Sequence, residues 1–383
     1  MRIAEISPLH ESVPPKLYGG TERVVHFLTE ALVDLGHDVT LFASGDSTTR
    51  AELVPGAPAA LRLNHCQDPI APHYAMIEEV FARAGDFDVL HFHTDYLGHS
   101  LARRQPVPYV TTMHGRLDTP ELEPIFRTFP ESPLISISDA QRDPHPDANW
   151  QGTVYHGLPA GLYRAHRAPG GYLAFVGRIS PEKRVDRAVE IASRLGMPLK
   201  VAAKVGSTDR DYYENEIKPL FDKNPLVEFL GEIGEERKNA FLGGAAAVLF
   251  PIDWPEPFGL VMIEAMACGT PVVAFRCGSV PEVMQDGVSG FVVETVDEAV
   301  AATARAVELP RAGVRAYFDK RFSARRMAED YLAIFEAMLQ NARRRRGRGG
   351  HAALGLAAID AQAESDGGHR LDGLGGDAGV GIE

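Results

Sequence analysis

The sequence predicts an α/β protein built from two doubly wound parallel sheets. Short apolar segments of strand length alternate with helical repeats from the first residues. A stretch rich in Arg, Pro and Gly, Leu162–Gly171 (LYRAHRAPGG), interrupts the alternation, which then restarts. The length, 383 residues, exceeds one ordinary core and suits two domains with a tail. Strands that follow one another through helices run parallel, and both faces of such a sheet are covered.

Arg2–Ser7 reads as the first buried strand. Val24, Val25, Leu28, Leu32 and Leu35 recur at helical spacing, and Gly36 ends that helix. Asp38–Ala43 is a strand, residues 73–84 a helix, and Asp88–Phe92 a strand. Pro108–Met113, Leu134–Ile137 and Gly152–Tyr155 complete the first half. In the second half, strands are expected at Tyr172–Val176, Leu199–Ala203, Val227–Leu230, Ala246–Pro251 and Pro271–Phe275. Helices are expected at Pro181–Leu195, Asp211–Phe221, Glu235–Gly243, Phe258–Ala267 and Val296–Leu309. Ser323–Asn341 reads as a last amphipathic helix. The following RRRRGRGG run and its Gly/Ala/acidic continuation have too few aromatic and β-branched residues for a core, which predicts disorder over 343–383.

Composition narrows the class. Hydrophobic content of 45% with 24% charged residues fits a soluble globular protein. No apolar run approaches the roughly 18 residues of a membrane span, and the N-terminus carries no signal-peptide pattern. Cys66, Cys268 and Cys277 have no metal-ligand spacing, which points to a reduced, cytoplasmic setting. A net charge of −13 argues against generic nucleic-acid binding.

Open parallel sheets bind ligands at the carboxyl ends of their strands, so a cleft between two sheets is the expected site. In FVGRISPEKRVD, Arg178, Lys183 and Arg184 crowd a helix start with Ser180 as N-cap and Pro181 in the first turn. Cations oppose the dipole there, so either they reach solvent or an anion sits among them. In KLYGGTERVV, Gly19 and Gly20 precede Thr21, a candidate N-cap. The pair permits close backbone approach but matches neither a dinucleotide fingerprint nor a P-loop. In DWPEPFGLVMIEAMACG, Glu256 precedes a helix that starts at Pro257, with the N–H groups of Phe258, Gly259 and Leu260 free for phosphate. Glu264 follows about two turns later among apolar residues. Its carboxylate either holds vicinal hydroxyls of a sugar or pairs with a buried cation. His114 follows a strand end. His91 and His93 share one strand face but have no third ligand at a convincing spacing, so no metal site is expected. Asp86 and Asp88 read as turn residues before a strand.

The order of these motifs (GGT, a post-strand His, G-R-x-x-x-x-K, then E-P-F-G-L-x-x-x-E-A-M-A-x-G) resembles glycosyltransferase family 4 over residues 1 to about 340. That family comprises retaining, nucleotide-sugar-dependent group 1 transferases of the GT-B fold. The resemblance implies an acceptor-binding domain over 1–165 and a donor-binding domain over 166–325. A helix at 326–342 would return to the first domain, ahead of the tail at 343–383. It implies that Arg178 and Lys183 hold the donor diphosphate, Glu264 the ribose, and Glu256 the transferred sugar. Phe258, Gly259 and Leu260 would offer backbone N–H groups, Gly19 and Gly20 would approach the phosphates, and His114 would lie beside the reacting carbon. No cofactor or metal is implied beyond a nucleotide sugar, with a UDP-sugar favoured. The acceptor would be a small molecule such as a pterin, a glycan or a lipid-linked sugar, the last bringing peripheral membrane contact. A bacterial, cytoplasmic hexosyltransferase is the expectation. A sugar-nucleotide 2-epimerase of the same fold, or a non-catalytic nucleotide-sugar-binding protein, is the alternative.

Overall fold

The computed structural model describes residues 1–16, 19–62, 64–168 and 170–363, with the backbone alone for 345–363. The first sheet contains β1 (Arg2–Ile6), β2 (Asp38–Ser44), β3 (Glu52–Ala57), β4 (Val89–Phe92), β5 (Tyr109–Thr112), β6 (Leu134–Ser136) and β7 (Trp150–Thr153). All its pairs are parallel, in the order β3-β2-β1-β4-β5-β6-β7. The second contains β8 (Leu173–Ile179), β9 (Leu199–Val205), β10 (Val227–Gly231), β11 (Ala247–Phe250), β12 (Val272–Phe275) and β13 (Gly290–Val293), also parallel, in the order β10-β9-β8-β11-β12-β13. Chain direction across each sheet reverses once, between β1 and β4 and between β8 and β11. At these points adjacent loops leave in opposite directions and open a crevice.

The strands form where expected because their apolar residues are sequestered on both faces. Ile3, Ala4, Ile6, Leu41, Phe42, Leu90 and Phe92 are fully buried in the first sheet, as are Leu173, Ala174, Leu199 and Val201 in the second. Two strands, β3 and β13, lie outside the segments expected from the sequence. β3 carries Pro55 and Gly56, which argue against a central strand, and it lies at the sheet edge where proline is tolerated. β13 is the opposite edge of the second sheet and begins at Gly290, whose φ of 145° excludes most other residues. A Cβ at Gly290 would lie 1.8 Å from the Val272 carbonyl oxygen.

The helix expected at Pro181–Leu195 is split. A short 3-10 turn, Pro181–Lys183, is followed by Arg184 in the left-handed region (φ 51°), and the α-helix runs Val185–Leu195. Ser180 precedes the turn without a side-chain cap bond. Thr21 lies inside the Gly20–Asp34 helix, so Gly19 occupies the cap position instead. The helix after Glu256 starts at Leu260, later than the expected start at Pro257 or Phe258, because Gly259 takes φ 82°. The Arg311–Arg321 helix was also unforeseen. Its buried Arg311 bonds the carbonyls of Ala245 and Gly243, a tertiary reason with no local signal.

Both sheets belong to one compact unit, Met1–Phe335, and Glu336–Glu383 form a second. The last helix crosses back to the first sheet. Leu158 N–H bonds the Phe322 carbonyl and Ala324 N–H the Leu158 carbonyl. Beyond that junction Tyr331 and Phe335 are fully buried, with ring centroids 4.9 and 5.2 Å from His91. The helix extends from Ala324 to Ala363, which corrects the expected disorder of 343–363. Ala and Arg are strong helix formers, and continuing an existing helix avoids the cost of a new nucleus. The remainder of that tail, 364–383, lies outside the described residues. Among the described residues no helix is long and apolar enough to cross a membrane.

Candidate active site

A cleft of about 680 Å³ opens at the strand ends of both sheets, at their two switch points. The ten residues to which the family resemblance assigns roles line it: Gly19, Gly20, His114, Arg178, Lys183, Glu256, Phe258, Gly259, Leu260 and Glu264. Arg184 does not. Its left-handed backbone turns it toward Asp186 and Asp253, with which it pairs at 2.8 Å each.

The cationic end lies after β8. Lys183 forms an ion pair with Glu256, and its Nζ sits 4.6 Å from the Trp254 ring centroid. Trp254 Nε1 donates to the same Glu256 oxygen at 3.0 Å. Arg178 pairs with Glu182 at 2.7 Å and Asp209 at 3.3 Å. Lys183 is therefore held by a carboxylate and mostly covered, Arg178 is held by two carboxylates but stays 42% exposed, and an arriving anion would compete with Glu256 for Lys183. The Glu256 backbone is fixed as well. Ser279 N–H bonds its carbonyl at 2.9 Å, and a Cβ on Gly278 would strike that oxygen at 2.4 Å.

Two helix starts face the cleft, one from each sheet. Gly20 begins the Gly20–Asp34 helix, and a Cβ there would touch Leu260 Cδ1 at 3.9 Å. Leu260 opens the Leu260–Ala267 helix. First-turn N–H groups lack intrahelical partners and carry the positive end of the dipole. Gly259 is confined by more than its φ, since a Cβ would approach Met262 Cε at 2.7 Å. Phe258 offers its ring to the core, packed 4.7 Å from His156.

Glu264 answers both readings of a buried carboxylate. One oxygen pairs with Lys238 Nζ at 2.7 Å, while the other, buried at the cleft, has no hydrogen-bond partner. Lys238 was not anticipated, because it comes from the separate Glu235–Gly243 helix. Lys238 also lies 3.5 Å from Glu235, which pairs with Arg23 of the first sheet's leading helix and accepts from the Tyr163 hydroxyl. An ionic chain thus joins the two halves beside the cleft.

The histidines form a second group. His91 and His93 do share a strand face, and Glu5 lies opposite His91 in the parallel register. Glu5, His91 and His93 bring ligand atoms within 4.8 Å of one another, so the third partner that spacing did not reveal comes from β1, a set a cation could also take. Burial alone would raise the Glu5 carboxyl, but charge and hydrogen bonding from His91 and hydrogen bonding from His93 hold it down to about 2. Burial lowers His93 to about 4 and His156 to about 3, and it holds His114 well below the usual imidazole range. Asp95, at φ 51°, lines the cleft, and burial pushes it up to about 6. His10, Arg62 and Arg116 also reach the cleft, together with His73 from the Ile70–Ala82 helix.

Residues 165–321 match the family described as glycosyl transferases group 1, and residues 18–150 match glycosyltransferase family 4, together well over half of the chain. The chain belongs to the family 4, group 1 glycosyltransferases. The D-inositol 3-phosphate glycosyltransferase of Streptomyces griseus is 26% identical, over 75% of this chain and 76% of its own. AviGT4, a glycosyltransferase involved in avilamycin A biosynthesis, superposes with a TM-score of 0.69 at 26% identity, over 88% of this chain and 98% of that one. HepE of Anabaena, solved with UDP and glucose, shares the fold at 18% identity and a TM-score of 0.67, over 88% of this chain and all of that one. The protein is thus a glycosyltransferase of GT-B architecture, and the 2-epimerase alternative gains no support from these relatives.

The buried rings predict acid lability in this glycosyltransferase. His99 is buried against Phe129, neither ring nitrogen has a partner, and burial lowers it to about 4. A ring neutral in the fold but protonated when unfolded stabilises the fold above its ordinary pKa near 6.5, and that contribution fades as pH falls toward 4. His93, His99 and His156 act in this direction; Asp95 acts oppositely as it titrates near 6. Each fully shifted ring should cost on the order of 1–2 kcal/mol by pH 5. The urea midpoint should therefore fall between pH 7 and 5, and His99→Phe should reduce the fall.

Proposed function

We propose that this cleft transfers a hexosyl group, with retention, from a nucleoside diphosphate sugar to an acceptor hydroxyl. The observation that carries the reading is the unpartnered Glu264 oxygen in the same cleft as Lys183, Arg178 and two helix starts. A nucleoside diphosphate sugar has complementary features: ribose hydroxyls to donate to Glu264 and a diphosphate for the cations and N–H groups.

Lys183 and Arg178 bind the diphosphate, and Lys183 leaves Glu256 to do so. The freed Glu256 carboxylate accepts hydroxyls of the sugar, and His114 lies on the sugar's other side. The bond from the anomeric carbon to the phosphate oxygen breaks as the acceptor oxygen arrives on the same face. The acceptor proton passes to the departing phosphate oxygen. Positive charge develops on the sugar ring and negative charge on the diphosphate, where the fixed cations stabilise it without reorganisation. Two side-chain cations and two helix starts supply what a divalent ion would otherwise provide at the diphosphate, so transfer is expected to persist in chelator. The acceptor occupies the first-sheet side, near His10, Arg62, His73 and Asp95.

A UDP-sugar is the first donor to test. With an α-linked donor and an identified acceptor, proton NMR of the first product should show an α-anomeric linkage, formed equally well with chelator present. A β-linked first product would overturn retention, and chelator-abolished turnover would overturn metal independence.

A further inference from the structure

A buried hydrogen-bond chain runs from the returning helix to the cleft. The Tyr331 hydroxyl lies 3.2 Å from Thr112 Oγ1, which lies 2.7 Å from His91 Nε2. His91 Nδ1 is 3.1 Å from Glu5 Oε1, and Glu5 Oε2 is 2.7 Å from His93 Nε2. His93 Nδ1 is 2.8 Å from His114 Nε2. Glu5, His91, Thr112 and Tyr331 are fully buried and His93 nearly so, whereas His114 is half-buried and lines the cleft.

We propose that Glu5 is a positioning residue for His114, acting through His93 to fix one tautomer of the His114 ring at the cleft. This rests on the reading that His114 sits beside the transferred sugar. Counting protons along the chain fixes the tautomer. An ionised carboxylate only accepts, so His93 must donate to Glu5 through Nε2–H. A neutral imidazole carries one N–H, so His93 Nδ1 is an acceptor. The 2.8 Å contact then requires His114 to donate through Nε2–H, which leaves its Nδ1 unprotonated. His156, stacked on His114 at 5.5 Å with an interplanar angle of 17°, limits rotation of the ring. The sugar therefore meets a neutral ring of one tautomer, set from β1 two hydrogen bonds away. A cleft in which positive charge develops on the sugar gains from a neutral neighbour with a fixed dipole, because an imidazolium would oppose that charge.

The test combines ring nitrogen NMR of 15N-histidine protein with steady-state transfer, using Glu5→Leu. Glu5→Met, which keeps the length of the side chain without an acceptor oxygen, serves if the leucine variant does not fold. His114 signals are assigned by their loss in His114→Asn. In wild type, Nε2 should carry the proton and Nδ1 should not. In the Glu5 variant the two nitrogens should shift toward exchange between tautomers. Then kcat should fall roughly 10- to 100-fold, as for removal of other orienting partners, with the donor KM changed less than about threefold. An unchanged His114 tautomer in the variant, or an Nδ1–H tautomer in wild type, would overturn the proposal whatever the activity. Altered tautomers with undiminished kcat would instead overturn the placement of His114 beside the sugar. One equivalent of a divalent metal in purified wild type, lost in the variant, would also overturn it, since a cation between Glu5 and the rings would replace the counted proton.

Discussion

Lys183→Ala should lower kcat/KM for the nucleotide sugar by at least 100- to 1,000-fold. Removing one preorganised donor to a developing oxyanion costs about 2.7–4 kcal/mol of barrier, which sets that range. Here the loss has a second part. In the wild type Lys183 neutralises Glu256, and Trp254 Nε1 is the other donor to that carboxylate. Without Lys183 an uncompensated carboxylate faces an incoming diphosphate, so the variant gains repulsion as well as losing attraction. Lys183→Arg should recover only part of the rate, because a planar fork cannot reproduce a point charge stacked 4.6 Å over the Trp254 ring. The measurement is steady-state transfer for both variants, with a folding check by circular dichroism. Equal kcat/KM in Lys183→Ala and wild type would remove this residue from the diphosphate site.

Glu264→Gln should weaken donor binding by roughly 10- to 100-fold, the range for loss of a hydrogen bond to a charged group. Two roles meet in this side chain, and they separate experimentally. One oxygen holds Lys238; the other is partnerless at the cleft. A buried ion stripped of its partner costs about 3–5 kcal/mol of stability, but Lys238 keeps Glu235 at 3.5 Å, so the stability loss should fall below that range. Combining Glu264→Gln with Lys238→Met removes both charges and should restore most of the stability. It should not restore donor affinity. If the double variant recovers both, Glu264 is a structural ion-pair residue and the ribose contact is wrong.

The residues that line the candidate cleft left more local signal in the sequence than some of the elements that carry them. Some of the ten cleft residues carry a local mark in the sequence: a carboxylate in an apolar run at Glu264, and cations opposing a helix dipole at Arg178 and Lys183. Partners at long range left no such mark. Lys238 reaches Glu264 from a different helix, Glu5 meets His91 across a strand pair, and Arg23 meets Glu235 across the cleft. Each depends on tertiary register, which spacing along the chain does not encode. The missed strands β3 and β13 are edges, where Pro55, Gly56 and Gly290 look like breakers because the rules describe central strands. Arg184 shares the local pattern of the anion-facing cations, but its φ of 51° breaks the helix that would begin at Pro181 and sends the side chain to Asp253. The last helix outran its expected end for a different reason. Composition argued that residues after Asn341 could not build a core, and a helix continued from packed turns needs none of its own.

The most direct test of the donor site is isothermal titration of UDP-, GDP- and ADP-sugars into wild type, Lys183→Ala and Glu264→Gln. One nucleotide sugar should bind wild type selectively, both variants should weaken it at least 10-fold, and the free nucleoside should lose affinity in Glu264→Gln but not in Lys183→Ala. Equal binding of that sugar nucleotide to all three proteins would contradict the placement of the donor in this cleft.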